Sequence, residues 1–307
     1  MSAAGTAVLV LALALPAAAA DAERAYRWQD ERIAESSGLV VVGDTLVTAN
    51  DSGDAARLFV VDRRGRTLRT VAYDAPVRDV EALAPAGPDH VWVADVGDNA
   101  RARSDLALHR VRLSDGATQT YPVAYADGRA RDAESLVALP SGRLAVVEKG
   151  LLGGQVFRSA PSLVEGEVNV LSPVGRVREV ATDAAYDPGS GRVLVRGYAS
   201  MGAYDLPDWD DVASVALPEQ PQGEALAVDG DGVLLGSEGV GTTVWRLPVP
   251  EPAPSSPPPA ADAPGETSVT GYAIDVRPLG AAAGVGLLAL GTALVLRRRA
   301  ARRRERR

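Results

Sequence analysis

The chain has 307 residues, no cysteine, and 32 basic against 40 acidic side chains, for a net charge of −8. These figures exclude a disulfide framework and a thiolate metal centre. They also exclude an electrostatic platform for nucleic acid, since an acidic surface favours cations and basic partners.

From the N-terminus, residues 1–20 hold no charged side chain, are apolar through Leu15 and end in small residues at Ala18 and Ala20. That is the pattern of a secretory signal peptide cut near Ala20. Residues 23–247 follow as one folded ectodomain. Its apolar runs are short, rich in Val, Leu and Ala, and separated by Gly, Asp, Pro and Asn. No helical period persists for three turns, which predicts an all-β fold.

Within that ectodomain one pattern returns five times. An acidic residue opens a short apolar strand, a tight polar turn follows, and a second strand ends in another polar or charged residue. The openers are Glu35, Glu81, Glu134, Asp183 and Glu224. A strand repeat with a period of about 40–50 residues predicts a β-propeller or a solenoid. Gly43-Asp44, Ser141-Gly142 and Gly230-Asp231 supply the conformations that hairpin turns need. Third strands (ARLFVVD, LALHRVRL, GQVFRSA, TTVWRLPV) follow in most repeats, and fourth strands (TLRTVAY, TQTYPVAY, VNVLSPVG) in the first three. The fifth repeat lacks a fourth strand, which AYRWQDERI at 25–33 can supply. This closure predicts a five-bladed propeller. The long step from Glu81 to Glu134 leaves a six-bladed ring as the alternative.

Residues 248–264 carry eight prolines in 17 positions. Such a segment is extended polyproline, so 248–270 reads as a semi-rigid stalk. Leu279 to Leu296 is free of charge and long enough for a transmembrane helix, and RRRAARRRERR follows at once. Basic flanks stay cytoplasmic. The expectation is a single-pass cell-membrane protein with its N-terminus outside and residues 297–307 as a cytoplasmic tail. The tail's eight Arg and one Glu carry +7, which leaves −15 on residues 21–296.

The openers head the strands that line a propeller channel. The second strands end at the same mouth with Asn50-Asp51, Asp95, Glu148, Arg196 and Glu238. Asp79 and Asp132 each lie two residues before an opener and so on the same face of the strand. A ring of like charges is costly unless a cation neutralises it or some members hold protons. Carboxylate and amide oxygens suit calcium or magnesium better than zinc. The candidate metal ligands are Glu35, Asn50, Asp51, Glu81, Asp95, Glu134, Glu148, Asp183, Glu224 and Glu238. The competing reading makes these acids caps for backbone N–H groups of neighbouring blades. Lys149, the single lysine of the chain, and Arg196 stand at the same mouth. They either hold an anionic ligand group or pair with the ring acids.

The run SGL…NDSGD…DVEAL…DVGDN…EAL…SEG resembles a group of secreted bacterial β-propeller proteins. That group shares NDSG, D-x-E-A and D-[IV]-GDN signatures, and some members are described as esterase-like phytase or WD40-like. The resemblance covers about residues 35–240 and places Asn50, Asp51, Glu81, Asp95, Asp98, Asn99 and Glu224 at its motif positions. More distant gluconolactonase-like propellers also arrange Glu, Asn and Asp around a central metal, but their ligand pattern does not match residue by residue.

The first functional expectation is a binding or scaffold module for an extracellular ligand or protein, lifted off the membrane on its stalk, with a divalent-cation site at the acidic mouth. The alternative is a metal-dependent hydrolase of phosphoesters or lactones, with Glu81 or Glu134 as the base.

Overall fold

The computed structural model describes residues 21–252. The expected signal peptide, transmembrane helix and basic tail, and the stalk beyond residue 252, lie outside the described residues. Among the described residues, no helix is long and apolar enough to cross a membrane.

Strand β1 (Glu23–Arg27) leads into four-stranded antiparallel meanders. The first sheet is β2 (Ser36–Val42), β3 (Thr45–Asn50), β4 (Arg57–Val61) and β5 (Thr67–Ala72). The second is β6 (Val80–Pro85), β7 (His90–Asp95), β8 (Ala107–Arg112) and β9 (Thr118–Tyr125). The third is β10 (Ala133–Ala138), β11 (Leu144–Glu148), β12 (Gln155–Arg158) and β13 (Asn169–Arg176). The fourth is β14 (Asp183–Asp187), β15 (Arg192–Arg196), β16 (Ser200–Asp205) and β17 (Asp210–Ala216). The fifth is β18 (Gly223–Asp229), β19 (Gly232–Ser237) and β20 (Thr243–Pro248), with β1 as its outer strand.

The sheets form a ring. The innermost strands touch in cyclic order, β2 to β6, β10, β14, β18 and back to β2. A separate apolar core fills each interface between neighbouring sheets. This is a β-propeller, whose stability comes from packing each sheet's two faces against its neighbours. Every sheet and core is completed by residues 22–249, so this segment has what it needs to fold on its own.

Closure differs in detail from the expectation. The closing strand is Glu23–Arg27, pairing Arg24 with Trp245 and Tyr26 with Val244, and it stops short of residue 33. Trp28 and Ile33 leave the ladder because they are buried between the fifth and first sheets, against Leu39, Phe59, Leu234 and Val244. The long step from Glu81 to Glu134 is taken up within the second sheet, by the connection 96–106 between β7 and β8 and by the long strand β9. The outer strands β9 and β13 pair in parallel from Asn169–Val123 to Leu171–Tyr125, so the outer edges of the second and third sheets meet. Two otherwise open edges are covered in this way.

The innermost strands enclose a cavity of about 240 Å3 lined by Leu39, Leu83, Leu136, Ala184 and Leu226, one from each sheet. This part of the channel is apolar. The acids collect where the same strands begin.

Trp28 is 2% exposed at the closing interface. Trp28→Ala is therefore expected to cost about 3–5 kcal/mol, a fall of roughly 10 °C in Tm for a segment of this size. A thermal melt of residues 21–252 within 2 °C of wild type would contradict the sealed ring.

Candidate metal centre at the channel mouth

A shared irregularity builds the mouth. The innermost strand bulges as it enters the ladder in four sheets, so that Ser37, Glu81, Glu134 and Glu224 each become an extra residue without a cross-strand partner. A bulge re-aims the side chain it frees. One step further out, Asp51, Gly97, Lys149 and Glu238 each donate a backbone N–H to the carbonyl of Glu35, Asp79, Asp132 and Gln222 in turn. The mouth is therefore layered, with the freed residues inside and these backbone-linked pairs around them.

The register corrects the first repeat. Ser37, not Glu35, stands where Glu81, Glu134 and Glu224 stand. Its hydroxyl donates to Glu81 O at 2.7 Å and lies 3.4 Å from Glu81 Oε2. The fourth sheet is regular: Asp183 pairs directly with Arg196, and its carboxylate accepts from Ala184 N and Leu226 N at 2.8 and 2.7 Å. Asp183 thus caps backbone of its own and the next sheet.

Three more expected ligands are committed elsewhere. Asn50 accepts from Ala34 N and Glu35 N and donates to Arg32 O and Asp54. Asp95 accepts from Arg78 N and Asp79 N and pairs with Arg103 at 2.9 Å. Glu148 lies within 3.8 Å of Arg101 and Arg131. Arg196, expected as a ligand-binding group, is fully buried, and its guanidinium donates to Ala225 O, Gly236 O and Gln220 Oε1. The strand-end position that was to bring it to the mouth instead drives it into the adjoining sheet.

The remaining acids converge. One carboxylate oxygen from each of Asp51, Asp79 and Glu81 lies within 4.8 Å of the others, close enough to share one cation. Glu224 and Glu35 lie close enough to Asp51, and Glu134 and Glu224 close enough to Glu81, to raise their pKa, and Asp51 with Glu35 does the same to Glu238. Burial, then the neighbouring carboxylates, hold Glu81 well above the usual carboxylate range. Burial, opposed by the Ser52 N–H and reinforced by Asp79, Glu224 and Glu35, pushes Asp51 up to about 8. Burial and Glu224 push Glu238 up to about 10.

The third sheet, next to that of Glu81, carries the single lysine of the chain. Lys149 Nζ lies 2.7 Å from Glu134 Oε1 and 5.5 Å from the centre of the Tyr198 ring. Burial alone would lower its pKa, but Glu134, Tyr198 and Glu224 outweigh burial and keep it charged. Burial also raises Glu134, despite Lys149. Tyr198 Oη is 3.5 Å from Glu224 Oε1.

Gly97 of the DVGDN run explains one motif position. It occupies the place that Asp51, Lys149 and Glu238 fill in other sheets, and a Cβ there would meet Glu81 Oε1 and Asp79 Oδ2. Only glycine leaves room for the two carboxylates. Sequence reasoning did not single out Ser37 or Tyr198. Ser37 lay hidden by the bulge, and Tyr198 sits in a loop with no repeated pattern.

No protein-family model and no curated protein matches this chain. Among solved structures, it resembles a gluconolactonase from Xanthomonas campestris at 13% identity and a TM-score of 0.48, covering 76% of this chain and 87% of that one. A Myxococcus xanthus glutaminyl cyclase matches at 14% and 0.47, over 74% and 97%. A chain of a nidogen/laminin complex matches at 9% and 0.42, over 67% and 73%. At these identities and scores the likenesses carry no argument about activity.

Raised carboxylate pKa values give a pH signature. Between an unfolded value near 4 and about 8, folded Asp51 keeps a proton that the unfolded chain loses. The contribution of these two acids to stability without metal should thus be full below pH 4 and fall as pH rises to about 8, with Glu238 extending the fall toward 10. Urea melts in chelator across this range should show the decline, and Glu81→Gln should reduce it. A flat profile would show that neither burial nor the neighbouring carboxylates oppose ionisation at the mouth.

Proposed function

We propose that the chain is a five-bladed propeller with a divalent cation, calcium or magnesium, on Asp51, Asp79 and Glu81, and that it acts there as a metal-dependent hydrolase of an ester, lactone or phosphoester. The observation that carries this reading is the approach of three carboxylates to within 4.8 Å in a mouth where Glu81 is 3% exposed. Hard cations take oxygen ligands of this kind. A bound ion would supply Lewis-acid polarisation of a substrate oxygen and a more acidic water.

The residues of the chain define the rest. Ser37 and Gly97 fix Glu81 from two sides. Lys149, on the neighbouring sheet, keeps a fifth of its side chain accessible and can hold a substrate oxygen that bears negative charge. Glu134 orients that ammonium. Glu238, close to Glu224 and Asp51, is left as the acid able to hold or move a proton, because burial and Glu224 raise its pKa. The commitment of Glu134 to Lys149 also favours a second reading, in which the same mouth binds an anionic ligand without turnover.

Calcium at 100 times its Kd should stabilise residues 21–252 by about 2.7 kcal/mol. Glu81→Gln should abolish that gain and raise stability in chelator, because repulsion is relieved. Glu134→Gln should instead lower stability by up to about 3 kcal/mol, because Lys149 loses its partner. Turnover of aryl esters, lactones and aryl phosphates should require the metal and vanish in Glu81→Gln. Stabilisation by calcium or magnesium without turnover would leave the binding reading; no effect of either ion in wild type would end the metal-dependent hydrolase reading.

A further inference from the structure

The loops that surround the mouth are of two kinds. Those of the first two sheets, 51–56 and 96–106, present Asp51, Ser52, Asp54, Asn99 and Arg101. Those of the other three sheets, 149–154, 197–199 and 238–242, present apolar side chains. Leu151, Leu152, Tyr198 and Val240 are 68%, 94%, 38% and 57% exposed. They are half of the large apolar side chains exposed among the described residues; Leu68, Val164, Val168 and Val170 lie on or beside outer strands. Isolated exposed leucines are ordinary, but apolar side chains gathered on one arc of a polar mouth mark a contact surface.

The presentation is fixed. Gly153 N donates to Gly150 O at 3.1 Å, and Leu151 and Gly153 form a bridge. A Cβ on Gly153 would meet Val177 O, and one on Gly154 would meet Glu148 O, so the turn is pressed against neighbouring backbone. The two leucines are held out by a close-fitting turn. The arc is also continuous with the polar site. Tyr198 lies beneath the Lys149 ammonium and beside Glu224. Leu151 and Val240 each follow by two residues a group of the mouth, Lys149 and Glu238.

Resting on the hydrolase reading, we infer that this arc is a specificity surface for the hydrocarbon part of the substrate. The substrate is a small amphipathic oxygen compound, an alkyl or aryl ester or lactone. Its acyl oxygen sits among the acids and Lys149, and its chain lies along Tyr198, Leu151, Leu152 and Val240. Water adds to the acyl carbon, the bond to the alcohol oxygen breaks, and the departing oxygen takes a proton, giving a carboxylate and an alcohol. A polyhydroxylated or multiply phosphorylated substrate would leave the arc wet.

The test uses straight-chain carboxylates as product mimics, so it reads the surface even without turnover. Calorimetry of residues 21–252 with calcium should show Kd falling about twofold per methylene from acetate to octanoate. That is half the roughly fourfold expected for full burial of each methylene. Leu152→Ser with Val240→Ser should flatten this trend and leave acetate binding unchanged; neither residue belongs to the acid site. In parallel, aryl octanoate should be hydrolysed with a higher kcat/KM than aryl acetate, and the double variant should remove the preference. Octanoate binding no tighter than acetate overturns the inference, whether or not esters are cleaved. A chain-length trend without any turnover keeps the surface and rejects the hydrolase reading. A wild-type dimer in solution that Leu152→Ser converts to monomer also overturns the inference, by making the arc a self-association face.

Discussion

Ring closure brings together the first residues of strands that lie some 40 to 50 positions apart in the chain. Because β18 packs on β2, the start of every innermost strand must approach one axis. In this chain most of those starts carry acids. The fold and its charge problem therefore come from one constraint: the packing that buries five apolar cores also buries carboxylates that repel one another. Their ionisation is opposed by burial and by one another, and Lys149 answers Glu134 from within the mouth.

The molecule divides its acids between two uses. Asp95 and Asp183, like the amide of Asn50, are spent on backbone N–H groups, which rigidifies the wall of the mouth. Asp51, Asp79 and Glu81 are gathered by a bulge and by the missing side chain of Gly97. The bulge separates the uses: a regular register, as in the fourth sheet, turns the acid into a cap, and a bulged one points it inward. Lys149 neutralises Glu134 in the third sheet, while in the first and second sheets Asp51, Asp79 and Glu81 bring one carboxylate oxygen each within 4.8 Å of the others.

Much of the architecture was legible in the sequence because strand period and turn chemistry are local. Gly43 and Gly230, both at positive φ, mark hairpin turns directly. β16 and β17 were missed because SMGAYD and the strand after it lack a clean alternation, and the end of β1 was misplaced because Trp28 and Ile33 serve a core rather than a ladder. At the site, the sequence brought the acids to one mouth but could not sort them. Whether an acid caps or points inward depends on one-residue register shifts, which leave no mark in composition. Arg196 shows the same limit: its place at a strand end was readable, but its burial in the next sheet was not.

The central claim is that the cluster of Asp51, Asp79 and Glu81 holds a divalent ion. Manganese is a paramagnetic oxygen-preferring substitute, and its solution signal is lost on binding. Titrating residues 21–252 with manganese under electron paramagnetic resonance counts the sites directly. The account predicts one tight site per chain, displaced by calcium and absent in Asp51→Asn. Free manganese throughout the titration, or an undiminished site in that variant, would contradict it.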